Sequence, residues 1–111
     1  MEICVTARHG SISEDALQLI QQKAEKLLRF YDRLSSIDIV IERNRHGEAG
    51  VEMKVRAENA NDFFARGQGG NVLTAVESVI QKLEQQLRKY KERLLTRARA
   101  RQVPGAELPA A

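Results

Sequence analysis

Little in this chain invites covalent or metal chemistry. Cys4 is the only cysteine, so no internal disulfide can form, and no Cys/His spacing suggests structural zinc. The two histidines, His9 and His46, fall in expected loops, with no Ser, Cys or acid arrangement that can be fixed around either. An enzyme is therefore not expected, and neither is a cofactor or a metal. The run Gly67-Gln68-Gly69-Gly70 is not followed by the Lys and Ser/Thr of a P-loop and lacks the dinucleotide fingerprint, so it reads as a flexible connector. No segment approaches the roughly 20 apolar residues of a membrane span. Met1 to Ala7 reads as a strand rather than as the basic start and apolar run of a signal peptide, so the expected location is cytoplasmic.

What the chain does have is one long amphipathic segment. From Asn71 to about Ala98 there is no Gly or Pro, and Val76, Ile80, Leu83, Leu87, Tyr90 and Leu94 recur at spacings of four and three, the signature of one helix face. Between Val72 and Arg101 lie eight basic residues and three acids, whereas the chain before Val72 has ten basic residues and eleven acids. The overall charge of +3 is thus a property of this segment. Excess positive charge confined to one element points to a directed surface for an acidic partner such as nucleic acid.

The rest of the chain supplies a small domain. Ile3 and Val5 alternate with polar neighbours as in a half-buried strand. Ser13 suits a helix N-cap, with Glu14 and Asp15 in the first turn, and Leu17, Ile20, Ala24, Leu27, Leu28, Tyr31 and Leu34 define one side of a helix of about twenty residues. Ile37, Ile39 and Ile41 predict a second strand, parallel to the first because a helix connects them. After the polar loop Glu42 to Gly50, Val51, Met53 and Val55 predict a third strand; the Asn59-Ala60-Asn61 turn leads to a short fourth near Phe63 to Arg66. The expected fold is α+β, ordered β-α-β-β-β-α, a four-stranded mixed sheet with two helices packed on one face. Residues 1–98 form the domain, and 99–111, with Pro104 and Gly105, read as a disordered tail. The open sheet face collects Glu2, Asp38, Glu42 and Glu52 among Lys54 and Arg56, which favours surface ion pairs over an acidic metal cluster. It has no aromatic pair for stacking bases.

On a helical wheel, Lys82, Lys89 and Arg93 border the apolar stripe of the last helix on one side, Lys91 lies on the other, and Glu77, Glu84 and Glu92 sit away from the basic border. Long basic stems along such a border suit a phosphate backbone.

The stretches MEICVTARHGSISEDAL, KAEKLLRFYDRLSSIDIVIE and VESVIQKLEQQLRKYKERL resemble the short ribosome hibernation promoting factor and ribosome-associated translation inhibitor family of bacteria. The pattern formed by Lys82, Leu83, Gln86, Leu87, Lys89 and Lys91 is the most specific part. The resemblance implies the same β-α-β-β-β-α fold, similar in outline to double-stranded RNA-binding domains. It also implies binding to the small ribosomal subunit and its rRNA near the decoding channel, inhibiting translation by blocking messenger and transfer RNA. Carried residue by residue, it suggests rRNA contacts at Arg8 and His9 in the first loop, at Lys23, Lys26 and Arg29 in the first helix, and at Lys82, Gln86, Lys89, Lys91 and Arg93 in the last. The chain departs from the family at Asn71-Val72-Leu73, where an Asp-Met-Tyr-like triplet is usual. Two further readings stay open: self-association through the last helix, supported by Val79 and Leu95, and a divergent double-stranded RNA-binding protein.

Overall fold

In the computed structural model, residues 1–43, 46–58 and 60–102 are described, with side chains through residue 98. Strand β1 (Glu2–Arg8) leads to helix α1 (Glu14–Glu25), which tightens into a 3-10 turn over Lys26–Arg29. Strands β2 (Leu34–Arg43), β3 (Ala49–Ala57) and β4 (Phe63–Gly69) follow, and helix α2 (Val72–Gln102) completes the described chain. The tail expected to lack order continues through 103–111, which lie outside the described residues, as do Asn44, Arg45 and Asn59 of the expected loops.

The sheet order is β1-β2-β3-β4, with β1 parallel to β2 and the other pairs antiparallel, as the connection lengths predict. Alternation puts Ile37, Ile39, Ile41, Val51, Met53, Val55 and Ala65 on one face, where they form a single core with Ile20, Ala24 and Leu27 below α1 and Val76, Val79, Ile80, Leu83 and Leu87 of α2. Each fully buried aliphatic side chain contributes about 1.5–3 kcal/mol through the apolar surface it removes from water. Both helices start as their caps require. The Ser13 hydroxyl accepts from the Ala16 N–H at 3.2 Å, and Asn71 Oδ1 accepts from the Thr74 N–H at 2.9 Å. At the departure from the family pattern, Asn71 therefore caps the helix while Val72 and Leu73 pack on the core.

Two expectations are corrected. The first helix does not run to Leu34. The Phe30 and Tyr31 N–H groups both bond to the Leu27 carbonyl, closing the 3-10 turn. Leu34 already pairs with Ala57, and the Glu58 N–H bonds to the Arg33 carbonyl. A ten-residue strand with Leu34 buried secures more hydrogen bonding and burial than two further turns of exposed helix.

The Gly-rich run is not a flexible connector. Gly67 and Gly69 lie within β4, paired with Val51 and Ala49, and they let the first turns of α2 sit close over the strand. A Cβ at Gly69 would stand 2.9 Å from the Ala75 backbone nitrogen, and one at Gly67 would stand 3.2 Å from Ser78 Oγ and Val79 Cγ2. Gly69→Ala is accordingly expected to destabilise the domain by about 1–3 kcal/mol through forced displacement of α2, measured by thermal or urea denaturation.

Candidate nucleic-acid interface

Helix α2 lies across the sheet with two unlike flanks. One faces α1, where Lys23 Nζ donates to Glu77 Oε1 at 2.6 Å and Lys26 lines the same groove with Gln81 and Glu84. The acidic side of the wheel is thus met by the basic side of α1. The Glu77 carboxyl is held below its ordinary pKa, first by the hydrogen bond from Lys23 and then by that ammonium charge. A group with a depressed folded pKa contributes stability above its unfolded pKa, and that contribution is lost as pH falls through the folded value. Glu77→Gln is therefore expected to lower stability slightly at neutral pH and to make no difference in strong acid, checked by denaturation at both pH values.

The other flank follows the outer edge of β4. Lys82 Nζ donates to the Arg66 carbonyl at 2.6 Å and Gln86 Nε2 to the Phe64 carbonyl at 2.9 Å. Because the sheet ends at β4, these oxygens would otherwise face water or another chain. Two polar residues of the pattern that carries the resemblance, Lys82 and Gln86, are thus engaged in finishing the sheet edge.

Beyond Leu87 the helix leaves the core. Tyr90 is half-buried in an aromatic cluster, its ring edge-on to Tyr31 at 5.5 Å and to Phe63 at 5.4 Å. Partial burial, and then the neighbouring Tyr90, raise the pKa of the Tyr31 hydroxyl above its ordinary value. Arg88 stacks over Phe30 at 4.9 Å. This cluster fixes the direction in which the last turns project.

On those turns Lys89, Lys91, Arg93 and Arg97 are exposed, and among the described residues none of the four takes part in an ion pair. Lys89, Arg93 and Arg97 share one surface, and Glu92 lies on it with them rather than away from the basic border as the wheel suggests. Arg93 and Arg97 also border a cleft of about 680 Å³ whose opposite wall is Asn61, Asp62 and Phe63. Lys91 lies on the other side, lining a groove of about 500 Å³ with Arg29, Phe30, Tyr31 and Leu94.

The expected contact residues thus form two groups and an intermediate set. Lys89, Lys91, Arg93 and Arg29 gather at the projecting end of α2. Arg8 and His9 lie at the opposite end of the sheet, since Arg8 is level with Glu42, Gly50 and Gln68 across the strands. Phe63, which marks the projecting end, is six strand positions from Gly69, about 20 Å at 3.3 Å per residue. Arg8 is itself paired with Glu42 at 2.8 Å, and His9 holds a left-handed turn at φ 59°. Lys23, Lys26, Lys82 and Gln86 lie between the two ends, with Lys23, Lys82 and Gln86 bonded within the domain. Arg97 was legible in the sequence, one helical turn beyond Arg93, but was not among the expected residues.

The remaining surfaces are more ordinary. On the open sheet face, Arg8 pairs with Glu42, Arg66 with Glu52 and Lys54 with Asp62, exposed pairs of small energetic weight. Phe64 is the aromatic residue there, 48% exposed. Pairing of copies through α2 loses one of its supports, because Val79 is fully buried; Leu87 is buried too, Leu94 is half-buried, and Leu95 remains 48% exposed. No helix among the described residues is long and apolar enough to cross a membrane.

A four-stranded mixed sheet carrying two helices on one face is the fold of ribosomal subunit interface proteins. Residues 3–95 match the family described as Sigma 54 modulation protein / S30EA ribosomal protein, and the chain belongs to it. The ribosome hibernation promoting factor of Escherichia coli K12 is 26% identical over 97 residues, covering 85% of this chain and 97% of that one. The same-named protein of Klebsiella oxytoca is 26% identical over 95 residues, covering 85% of this chain and 97% of its own. Among solved structures, a ribosomal subunit interface protein from Coxiella burnetii superposes with a TM-score of 0.75 at 26% identity, covering 83% of this chain and 99% of that one. The N-terminal domain of Thermus thermophilus Protein Y shares the fold, with a TM-score of 0.72 at 17% identity, covering 81% of this chain and 99% of its own.

Proposed function

We propose that this chain is a non-catalytic cytoplasmic ribosome hibernation factor, in which residues 1–98 form the ribosome-binding unit. Its docking target is the RNA of the small ribosomal subunit near the decoding channel, where occupancy excludes messenger and transfer RNA and silences translation. Family membership supports the ribosome as partner. The observation that carries the reading to RNA is the set of exposed cations without described ion pairs, Lys89, Lys91, Arg93 and Arg97, on a helix end that projects past the core. Side chains rooted on a helix held by the Tyr31–Tyr90–Phe63 cluster present charge to phosphates with less loss of freedom than a loose tail would. Arg8 and His9 at the far end of the sheet serve as a second point of contact, so docking spans the length of the domain. The test is translation by purified ribosomes with added protein, combined with co-sedimentation on isolated subunits. Inhibition that tracks occupancy of small subunits is expected; binding confined to large subunits, or occupancy without inhibition, would overturn the reading.

A further inference from the structure

The two edges of the sheet are finished differently. Along β4, Lys82 and Gln86 occupy the outward carbonyls, so an added strand would have to displace both side chains. Along β1, the ladder to β2 is the only hydrogen bonding of the strand backbone among the described residues, and nothing caps the opposite side. The geometry points to β1 as a self-association edge: two copies pair antiparallel about a two-fold axis at Val5, joining their four-stranded sheets into one continuous sheet.

The occupant is specified by the sequence of the edge itself. In that register Glu2 lies opposite Arg8 of the second copy, Ile3 opposite Ala7, Cys4 opposite Thr6, and Val5 opposite Val5. The charged ends therefore match by symmetry, as an isologous contact requires. Arg8 can hold Glu42 of its own chain and Glu2 of the other together, and Glu2 has no ion pair among the described residues. Ile3 and Val5 face the helices but are only half-buried; the second copy covers the surface left at the edge. Centring the pair on Cys4 or Thr6 instead shortens the ladder and loses the Glu2–Arg8 match. The inference goes beyond ribosome binding and does not rest on it.

Cysteine placement gives a direct test. Directly opposed strand residues have Cα atoms about 4.5–5.5 Å apart, inside the range a disulfide spans, whereas diagonal neighbours at roughly 7–8 Å fall outside it. Thr6→Cys puts a thiol opposite Cys4 of the second copy at an exposed position, so the fold should survive, as circular dichroism will report. Mild oxidation of concentrated Thr6→Cys protein is expected to give a reducible covalent dimer. Wild type, which has Cys4 alone, and Cys4→Ser/Thr6→Cys, which has only the introduced thiol, are expected to stay monomeric under the same conditions. A monomeric Thr6→Cys variant, or equal dimer yield from either single-thiol protein, would overturn the proposed pairing. Without oxidant, sedimentation equilibrium should show wild-type mass rising toward twice the monomer value with concentration. Glu2→Arg should suppress that rise, and because Arg8 also pairs with Glu42 of its own chain, the swap that should restore it is Glu2→Arg/Arg8→Glu/Glu42→Gln. Wild type that stays monomeric throughout would overturn the inference.

Discussion

Reversing charge at Lys89 and Arg93 together, Lys89→Glu/Arg93→Glu, is expected to weaken binding to small ribosomal subunits by about a hundredfold while leaving the domain folded. Two charge-assisted contacts at about 1.5 kcal/mol each amount to about 3 kcal/mol. The slope of log affinity against log salt should also fall by about two, because two fewer counterions are released per binding event. Both side chains are exposed and lie beyond Leu87, the last fully buried position of α2, so the substitutions do not reach the core; Arg93 meets the start of β4 only across an open cleft, and neither side chain bonds to the β4 carbonyls. Lys82 is a poorer choice, although it belongs to the same border of the wheel. Its ammonium bonds to the Arg66 carbonyl, and Lys82→Glu would put a carboxylate against that oxygen. Loss of binding in that variant would mix a disturbed edge with a lost contact. Co-sedimentation over a salt series measures both affinity and slope, and unchanged values would remove Lys89 and Arg93 from the interface.

Legibility in the sequence followed the range over which each feature is specified. Strands β1, β2 and β3 declared themselves because a half-buried strand alternates residue by residue, and the face assigned to Ile37, Ile39 and Ile41 is the buried one. The stripe of α2 is equally plain: Val76, Ile80, Leu83 and Leu87 turn into the core, Tyr90 joins the aromatic cluster, and Leu94 lies half-buried on the same side. Features decided by contact between distant segments were hidden. The spacing of Leu27, Tyr31 and Leu34 fits a helix as well as it fits a 3-10 turn followed by a strand, and only the Leu34–Ala57 pairing separates the two. Glycines in β4 look like a linker until α2 is laid over them, when Gly69 becomes a position where a side chain would strike the helix backbone. The charged residues divide for the same reason. The wheel put Lys82, Lys89 and Arg93 on one border, but what separates Lys82 from the other two is the strand edge beside it, 16 residues away in sequence.

The same division along α2 predicts where stability resides. Leu83 is fully buried within the core, so Leu83→Ala should cost about 2–5 kcal/mol, the loss of transfer energy plus the cavity left behind. For a domain of this size that is a large share of a total stability near 5–15 kcal/mol, and the denaturation midpoint should fall sharply. Leu94 lies three turns further on, half-exposed along the groove with Phe30 and Tyr31. Leu94→Ala removes the same atoms from a site where water already reaches them and where the neighbours can close in, so about 1 kcal/mol or less is expected. Urea denaturation of the two variants beside wild type measures the difference directly. Near-equal losses would mean that the end of α2 is part of the cooperative core, and charge reversals there would then have to be judged first as stability variants. A wide gap instead means that the projecting turns can carry Lys89, Lys91, Arg93 and Arg97 without the fold depending on them, which leaves that surface free to be shaped by what it binds.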